Sequence, residues 1–531
     1  MVMFREEKKR QQRLFAFDAT APRRYVLRGR IATMDATASV IPDGVVCVEN
    51  DSIACVAPVG VTLPPQFQQA PIVTTGGTIF PGLLELHNHP AYNAVPLWNV
   101  RQLFANRGQW RADALYKRQV ANPASLLTHH PQEIYPKSVA RFVECRALLG
   151  GVTTTQGLTI SSLGGSVEYY KGLIRNVEFP SIAQWPIATD HINDFASFDE
   201  FNKEYGAIKN QSLARFVIHL CEGRDLATGA LFNNLIDPTG AALIGNNLIA
   251  IHATALGAPQ FRQLKAGAGI VWSPMSNFLL YGGTTDVAAA IAAGVSVALG
   301  CDWGPSGTKN LLGELKIAKI TSDHLGVLFS TEQLVRMVTT VPAQMMGWDR
   351  YLGSIEQGKQ ADLLIVDQMN EDPYAGLIQA SERNVIAITI GGKVRAARAS
   401  IADPTGPSVE LIHIAGQDLV LDLVDDPSHP LANVTLQASI ATLSYALEHL
   451  PDLAKTFSSG HQALGEFANT FKIRLEMDEE VALDAMVAAP PIGPSDVDPM
   501  ELDPITAVDD TTFIPRLKQA SNVPAWLKAA L

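Results

Sequence analysis

Cysteine is scarce in this chain of 531 residues. There are five, Cys47, Cys55, Cys145, Cys221 and Cys301, and none forms a CxxC pair. That excludes a disulfide-framed secreted module and predicts reduced thiols in a cytoplasmic protein. Long apolar runs are missing too. The stretches 241–256, 286–301, 436–447 and 481–490 come nearest, but none is an uninterrupted apolar run of about 20 residues, so no membrane span is expected. The opening MVMFREEKKRQQR has charge with no apolar run behind it, and so does not read as a secretory signal. No basic patch argues for nucleic acid, and no Gly-rich dinucleotide fingerprint is present. What remains is a balanced composition, 47 % apolar and 18 % charged. It fits a soluble globular protein of two or three domains.

Negative charge is unevenly placed. Residues 476–510 hold Glu476, Asp478, Glu479, Glu480, Asp484, Asp496, Asp498, Glu501, Asp503, Asp509 and Asp510 with no Lys or Arg, and most of the net charge of −12 lies there. Upstream, residues 24–75 read as short strands rich in β-branched residues, and a similar texture returns at 353–400. These two segments are expected to combine into a β-sandwich. Between them, at 76–352, strand-like runs such as RFVIHLCE, NLIAIHATA and GVSVALGCD alternate with helix-like runs. That alternation and length predict a (β/α)8 barrel, an α/β fold of typically ~250 residues; a doubly wound open sheet is the alternative. Residues 401–531 form a C-terminal extension. It holds two strands in VELIHIAGQDLVLDLVDD, a helical stretch, and a partly irregular acidic segment at 476–515.

Chemistry gathers at the predicted strand ends. In LELHNHP, residues two apart share a face, so Glu85, His87 and His89 point one way and Leu86 and Asn88 the other. Two parallel imidazoles make a natural chelate for a transition metal. His219 ends FVIHL, with Glu222 just beyond; His252 ends LIAIH; Asp302 follows VSVALGC. Residues at the C-terminal ends of barrel strands converge on one mouth. Singly, each would be an ordinary core histidine or a capping aspartate.

The ordered motifs PGLLELHNH, GVTTT, HLCE, IHATAL, SPMSN, LGCDWG and LGSIEQGKQADLLIVD resemble the amidohydrolase superfamily, and more narrowly its cytosine-deaminase-like and chlorohydrolase-like branch, over residues 24–400. The resemblance implies that His87, His89, His219 and Asp302 bind one divalent metal, zinc first, with Fe(II) or Mn(II) also suited. The metal would lower the pKa of a water at its open position. Asp302 would accept the water's proton, Glu222 would shuttle a proton to a ring or leaving nitrogen, and His252 would polarise a carbonyl or bond the attacking water. A strict strand would put His219 and Glu222 on opposite faces, so Glu222 is expected in a bend that Gly223 favours. No lysine stands where dinuclear members carry a bridging carboxylated one; Glu178 is the carboxylate that could substitute. Glu85 stands where the superfamily often has Asp.

Candidate substrate-binding residues are Tyr92, Trp98 and Arg107 in the aromatic, Arg-rich loop after His89, Asn277 and Tyr281 in SPMSNFLLYGG, and Trp303 and Ser306 after Asp302, with Asn310 nearby. That loop differs from the one usual in simple deaminases of the branch, which counts against a nucleobase. The expected function is metal-dependent hydrolysis of a C–N bond in a small, cyclic molecule. One alternative is hydrolytic deamination of an amidine-type heterocycle. Another is a catalytically silent scaffold of the same fold. The expected partners are a small-molecule substrate and further copies of the chain, as a dimer or higher homo-oligomer. The acidic tail either wraps a neighbouring subunit or hangs free as a solubilising segment.

Overall fold

In the computed structural model, which describes residues 22–161, 167–180, 182, 184–402, 404, 409–461, 471–475 and 492–531, the strand Ile72–Pro81 joins two distant stretches of chain. It runs parallel to Arg24–Ala32 on one side and antiparallel to Leu363–Asp367 on the other. Its alternation makes this possible. Val73 and Ile79 bury into one apolar cluster and Phe80 into another, so both faces are covered and the strand can lie inside a sheet. The result is one nine-stranded sheet. Its order is Val409–Ile414, Gln417–Asp422, Lys393–Arg398, Val385–Ile390, Leu363–Asp367, Ile72–Pro81, Arg24–Ala32, Val40–Glu49, Ser52–Pro58. The two flanking segments do combine, in one continuous hydrogen-bonded sheet, and one of its faces gathers residues from both, Tyr25, Val48, Ile365 and Val394 among them, into a single apolar cluster. The sheet also runs past the expected boundary at 400, because Lys393–Arg398 pairs with Gln417–Asp422.

The cysteine expectation is corrected in this sheet. Cys47 and Cys55 stand directly opposite each other in the end hairpin, with Cα atoms 4.9 Å apart, and are joined as a disulfide. Eight residues of separation look unrelated in sequence, but the tight turn between the strands brings them face to face. Cys145, Cys221 and Cys301 are free and buried.

Between the flanking segments lie eight short parallel strands in two sheets. One holds Leu83–Leu84, Val152–Thr155 and Arg175–Asn176; the other holds Ile187–His191, Ala214–Leu220, Leu248–His252, Gly269–Trp272 and Val297–Leu299. Helices such as Ile134–Leu149 and Ala258–Leu264 connect them, and Leu311–His324 follows the last. Backbone bonds cross both gaps between the sheets. Ala188 N–H donates to Val177 O at 2.9 Å, and His89 N–H donates to Asp302 O at 2.7 Å. Every residue of Leu248–His252 is buried, as expected where both faces of a parallel strand are covered. Among the described residues no helix is long and apolar enough to cross a membrane.

Residues 492–531 fold back on their own chain. Asp498 pairs with Arg118, Asp503 with Arg146 and Lys309, and Asn522 donates to the carbonyls of Gln102 and Leu279. This part of the tail is therefore packed on its own chain rather than hanging free. The N-terminal basic stretch and residues Glu476, Asp478, Glu479, Glu480 and Asp484 lie outside the described residues.

Candidate metal centre

Four strand ends deliver the polar groups. Leu83–Leu84 leads to His87 and His89, Ala214–Leu220 ends near His219, Leu248–His252 ends on His252, and Val297–Leu299 leads to Asp302. The backbone turns sharply at each delivery. His252 (φ 61°) and Asp302 (φ 68°) are non-glycine residues in the left-handed region, a costly conformation that packing must hold. Cys221 (φ 51°) turns the chain just after His219 and brings Glu222 back to the same side, with Gly223 following at φ 158°. Gly300 permits the closest approach: a Cβ there would lie 2.6 Å from His87 Cβ.

The side chains converge tightly. The ligand-capable atoms of His87, His89 and His219 lie within 4.8 Å of one another, as do those of His87, His252 and Asp302. Asp302 Oδ1 is 3.3 Å from His87 Nε2 and 3.6 Å from His89 Nε2. His89 Nε2 and His219 Nε2 face each other at 3.2 Å. Burial, reinforced by the neighbouring imidazoles, holds His87 and His219 well below the ordinary imidazole pKa. Both are then neutral, with lone pairs to offer. His87 Nε2 is buried without a hydrogen-bond partner, an expensive state for a polar atom. A cation at the centre would engage these nitrogens and Asp302 together, so the donor set fits a divalent metal.

A supporting frame fixes the donors. Ser273 Oγ lies 2.7 Å from His87 Nδ1, turning Nε2 inward. Ser276 Oγ donates to Asp302 Oδ2 at 2.6 Å and lies 2.8 Å from Ser306 Oγ, which also accepts from Trp303 Nε1. The Asn277 amide nitrogen lies 3.1 Å from His252 Nδ1. Met275 N–H donates to Glu314, whose carboxyl is pushed up to about 8 by burial. Ser273, Ser276 and Glu314 escaped the sequence reading, although the first two sit in or beside the quoted SPMSN motif.

Glu222 sits at the side of this cluster. Tyr281 Oη donates to it at 2.6 Å, Arg107 Nε lies 3.7 Å away, and His252 Nε2 lies 3.8 Å away. Trp110 Nε1 donates to Tyr281 Oη at 2.8 Å, and Arg107 also bonds the Ile192 carbonyl. Tyr92 packs on Trp303, and Trp98 packs on Phe104, Trp110 and Tyr116. Together they roof the centre, and His87, His89, His219, Glu222, His252 and Asp302 are all at most 4 % exposed.

Three expectations change. Glu85 does not share a face with His87 and His89, because the strand ends at Leu84 and the chain bends. Its carboxylate accepts instead from Asn88 Nδ2 at 2.8 Å and from Cys301 N–H at 2.9 Å. Asn310 is not a pocket residue. It caps the helix Leu311–His324 by accepting from Gly313 N–H. Glu178 joins neither cluster of ligand-capable groups among the described residues. It accepts from Gly157 N–H at 2.9 Å, and burial together with nearby Asp190 raises its pKa well above the carboxylate range.

Against known proteins, the profile of the Amidohydrolase family matches residues 207–395. A 5-methylthioadenosine/S-adenosylhomocysteine deaminase of Moorella thermoacetica is 24 % identical over 418 residues, covering 70 % of this chain and 95 % of the relative. Two solved structures share the fold. The guanine deaminase of E. coli has a TM-score of 0.53 at 16 % identity, over 70 % of this chain and 99 % of that one. An adenosine deaminase from Xanthomonas campestris with bound zinc has a TM-score of 0.51 at 19 % identity, over 79 % and 96 %.

Proposed function

Because this chain belongs to the amidohydrolase superfamily and is a hydrolase of non-peptide C–N bonds, we propose that it is a hydrolytic deaminase releasing ammonia from an amidine-type heterocycle. The observation that carries this reading is the position of Glu222, beside the histidine cluster and held by Tyr281 and Arg107. Deamination needs a group that can carry a proton to a ring nitrogen and then to the leaving amine, and a positioned carboxyl does this. The names of the relative and of the two structural neighbours point the same way.

In this reading the eight parallel strands close into a barrel, and His87, His89, His219 and Asp302 hold one divalent metal, zinc first. When bound, the metal supplies Lewis acidity that makes a water nucleophilic near neutral pH. Asp302 takes the proton from that water, with Ser276 fixing its other oxygen. Glu222 passes a proton to the ring nitrogen. His252, held by Asn277, hydrogen-bonds the oxygen that adds to the ring carbon. The buried setting strengthens these interactions by excluding water. Arg107, Tyr92, Trp98, Tyr281, Trp303 and Ser306 shape the space for a flat ring.

The test is a panel of aminated heterocycles, lactams and N-acyl compounds assayed separately for ammonia and for ring opening, with zinc content measured. Ammonia from at least one aminated ring, lost on chelation and restored by zinc, is expected. Lactam opening with no ammonia from any aminated ring would sink the deaminase reading.

A further inference from the structure

The C-terminal extension buries one carboxylate among the side chains that hold the loops of the candidate metal centre. Asp503 is 3 % exposed. Its Oδ2 lies 2.6 Å from Arg146 Nη1 and its Oδ1 lies 2.6 Å from Lys309 Nζ. Both cations have side chains only 1 % exposed. Lys309 has a second counter-charge, Asp510 at 2.8 Å, also from the extension. Buried charges must be paired, and for these two the pairing carboxylates come from beyond residue 500.

Arg146 links that pair to the loops carrying the proposed ligands. The same Nη1 donates to Asn93 O at 2.6 Å, and Nε donates to Lys309 O at 3.2 Å. Asn93 Oδ1 accepts from Gly304 N–H at 2.7 Å, and its Nδ2 donates to Asn88 Oδ1 at 2.9 Å. Asn88 Nδ2 donates to Glu85, whose other oxygen accepts from Cys301 N–H. Asn88 lies between His87 and His89; Cys301 and Gly304 bracket Asp302. The chain of bonds from the tail therefore ends on both sides of the metal site. Asp503 N–H also donates to Ala94 O at 3.3 Å, which ties the strap to the roof segment directly.

We propose that Asp503 is a positioning residue of the metal centre: through Arg146 and Asn93 it sets the separation between the His87–His89 loop and the Asp302 loop. The inference rests on the reading of His87, His89, His219 and Asp302 as metal ligands, and it gives the extension a function in the site. Asp510 neutralises Lys309 but does not touch Arg146, so it serves as the internal control.

The experiment uses the full chain as wild type, Asp503→Asn, Asp503→Glu and Asp510→Asn. Zinc affinity is measured by chelator competition, the ligand field by the visible spectrum of the Co(II)-loaded protein, and backbone amide exchange at 87–94 and 301–304 in the metal-free protein. Asp503→Asn should weaken zinc binding by roughly 10- to 100-fold, as loss of an outer hydrogen-bonding partner typically does. It should also change the Co(II) spectrum and speed exchange at both loops. Asp503→Glu should recover part of the affinity. Asp510→Asn should lower Tm but leave zinc affinity within about threefold. If Asp503→Asn fails to fold, Arg146→Lys, which keeps the charge but cannot reach both Asp503 and Asn93, should show the same loss. Wild-type zinc affinity and spectrum in these variants, or equal losses in the Asp503 and Asp510 variants, overturn the proposal. If the wild type binds no zinc, the metal reading fails on its own terms, and unchanged exchange at the two loops overturns the positioning role as well.

Discussion

Glu222 is the residue on which the proposed chemistry turns, and its surroundings make its substitution informative. Glu222→Gln keeps the acceptor for Tyr281 Oη but cannot carry a proton. Turnover should fall by roughly 10²- to 10⁴-fold, with zinc content and fold unchanged; an enzyme that retains its rate removes Glu222 from the mechanism. A second residue tests the electrostatics away from the site. His130 is buried against Tyr135, and its Nδ1 accepts from Gln132 N–H. Burial pushes its imidazole down to about 4, whereas in the unfolded chain it would titrate near ~6.5. Between those values the unfolded state binds more protons. The stabilisation is therefore complete above about 6.5 and is lost as pH falls through about 4. His130→Asn, which can still accept from Gln132, should show a smaller fall in Tm between pH 7 and pH 5 than the wild type. Parallel pH profiles for the two would contradict this.

At the scale of elements, the segment 90–112 roofs the centre, and one helix in it reaches Glu222. The helix Arg107–Ala112 carries both Arg107, 3.7 Å from Glu222, and Trp110, whose indole N–H bonds Tyr281. Trp110→Phe keeps most of the apolar packing but removes that bond, which is worth about 1 kcal/mol in a neutral pair. We expect a kcat drop of up to about tenfold with KM nearly unchanged, read from steady-state kinetics; a change in KM alone would make Trp110 a substrate contact rather than a support for Tyr281. On the far side, Asn310 caps Leu311–His324 and also donates to Glu382 Oε1 at 2.6 Å. Asn310→Ala should cost about 1–2 kcal/mol of stability by thermal or denaturant melting. Little of this was legible in the sequence. The strand ends bearing His219, His252 and Asp302 were, because apolar runs closing on a single polar residue leave a clear pattern. The short helices in 107–121 were not, because their periodicity is too brief to read. Alternation misplaces Glu85 because it holds only while the strand lasts, and this one stops at Leu84. Asp503 was hidden because an acidic stretch reads as solvated unless its cationic partners, some 200 and 350 residues away, are known.

Across the whole molecule, the two β-rich segments were recognisable from their Val and Ile content, but their joining through Ile72–Pro81 into one sheet was not, since pairing partners nearly 300 residues apart leave no local mark. That architecture predicts where metal removal will be felt. The nine-stranded sheet is stitched by long ladders, such as the eight-residue register between Arg24–Ala32 and Val40–Glu49, and holds no proposed ligand. The gap between Leu83–Leu84 and Val297–Leu299 is crossed instead by few bonds, among them His89 N–H to Asp302 O and Asp302 N–H to His87 O. The three residues that make those bonds are all proposed ligands, so a metal held by them would act as an extra tie across that gap. Ligand that binds only the folded state raises stability by mass action, and the gain should appear where the tie acts. Stripping zinc should therefore lower Tm and speed amide exchange at 87–89 and 300–303, while amides in 24–32 and 72–81 keep their protection. The stripped protein should itself lose Tm as pH falls below about 6.5, where the unfolded histidines hold protons that the folded ones, kept neutral by burial, do not. Uniform loss of protection across both regions would mean that the metal stabilises the molecule globally rather than at that gap.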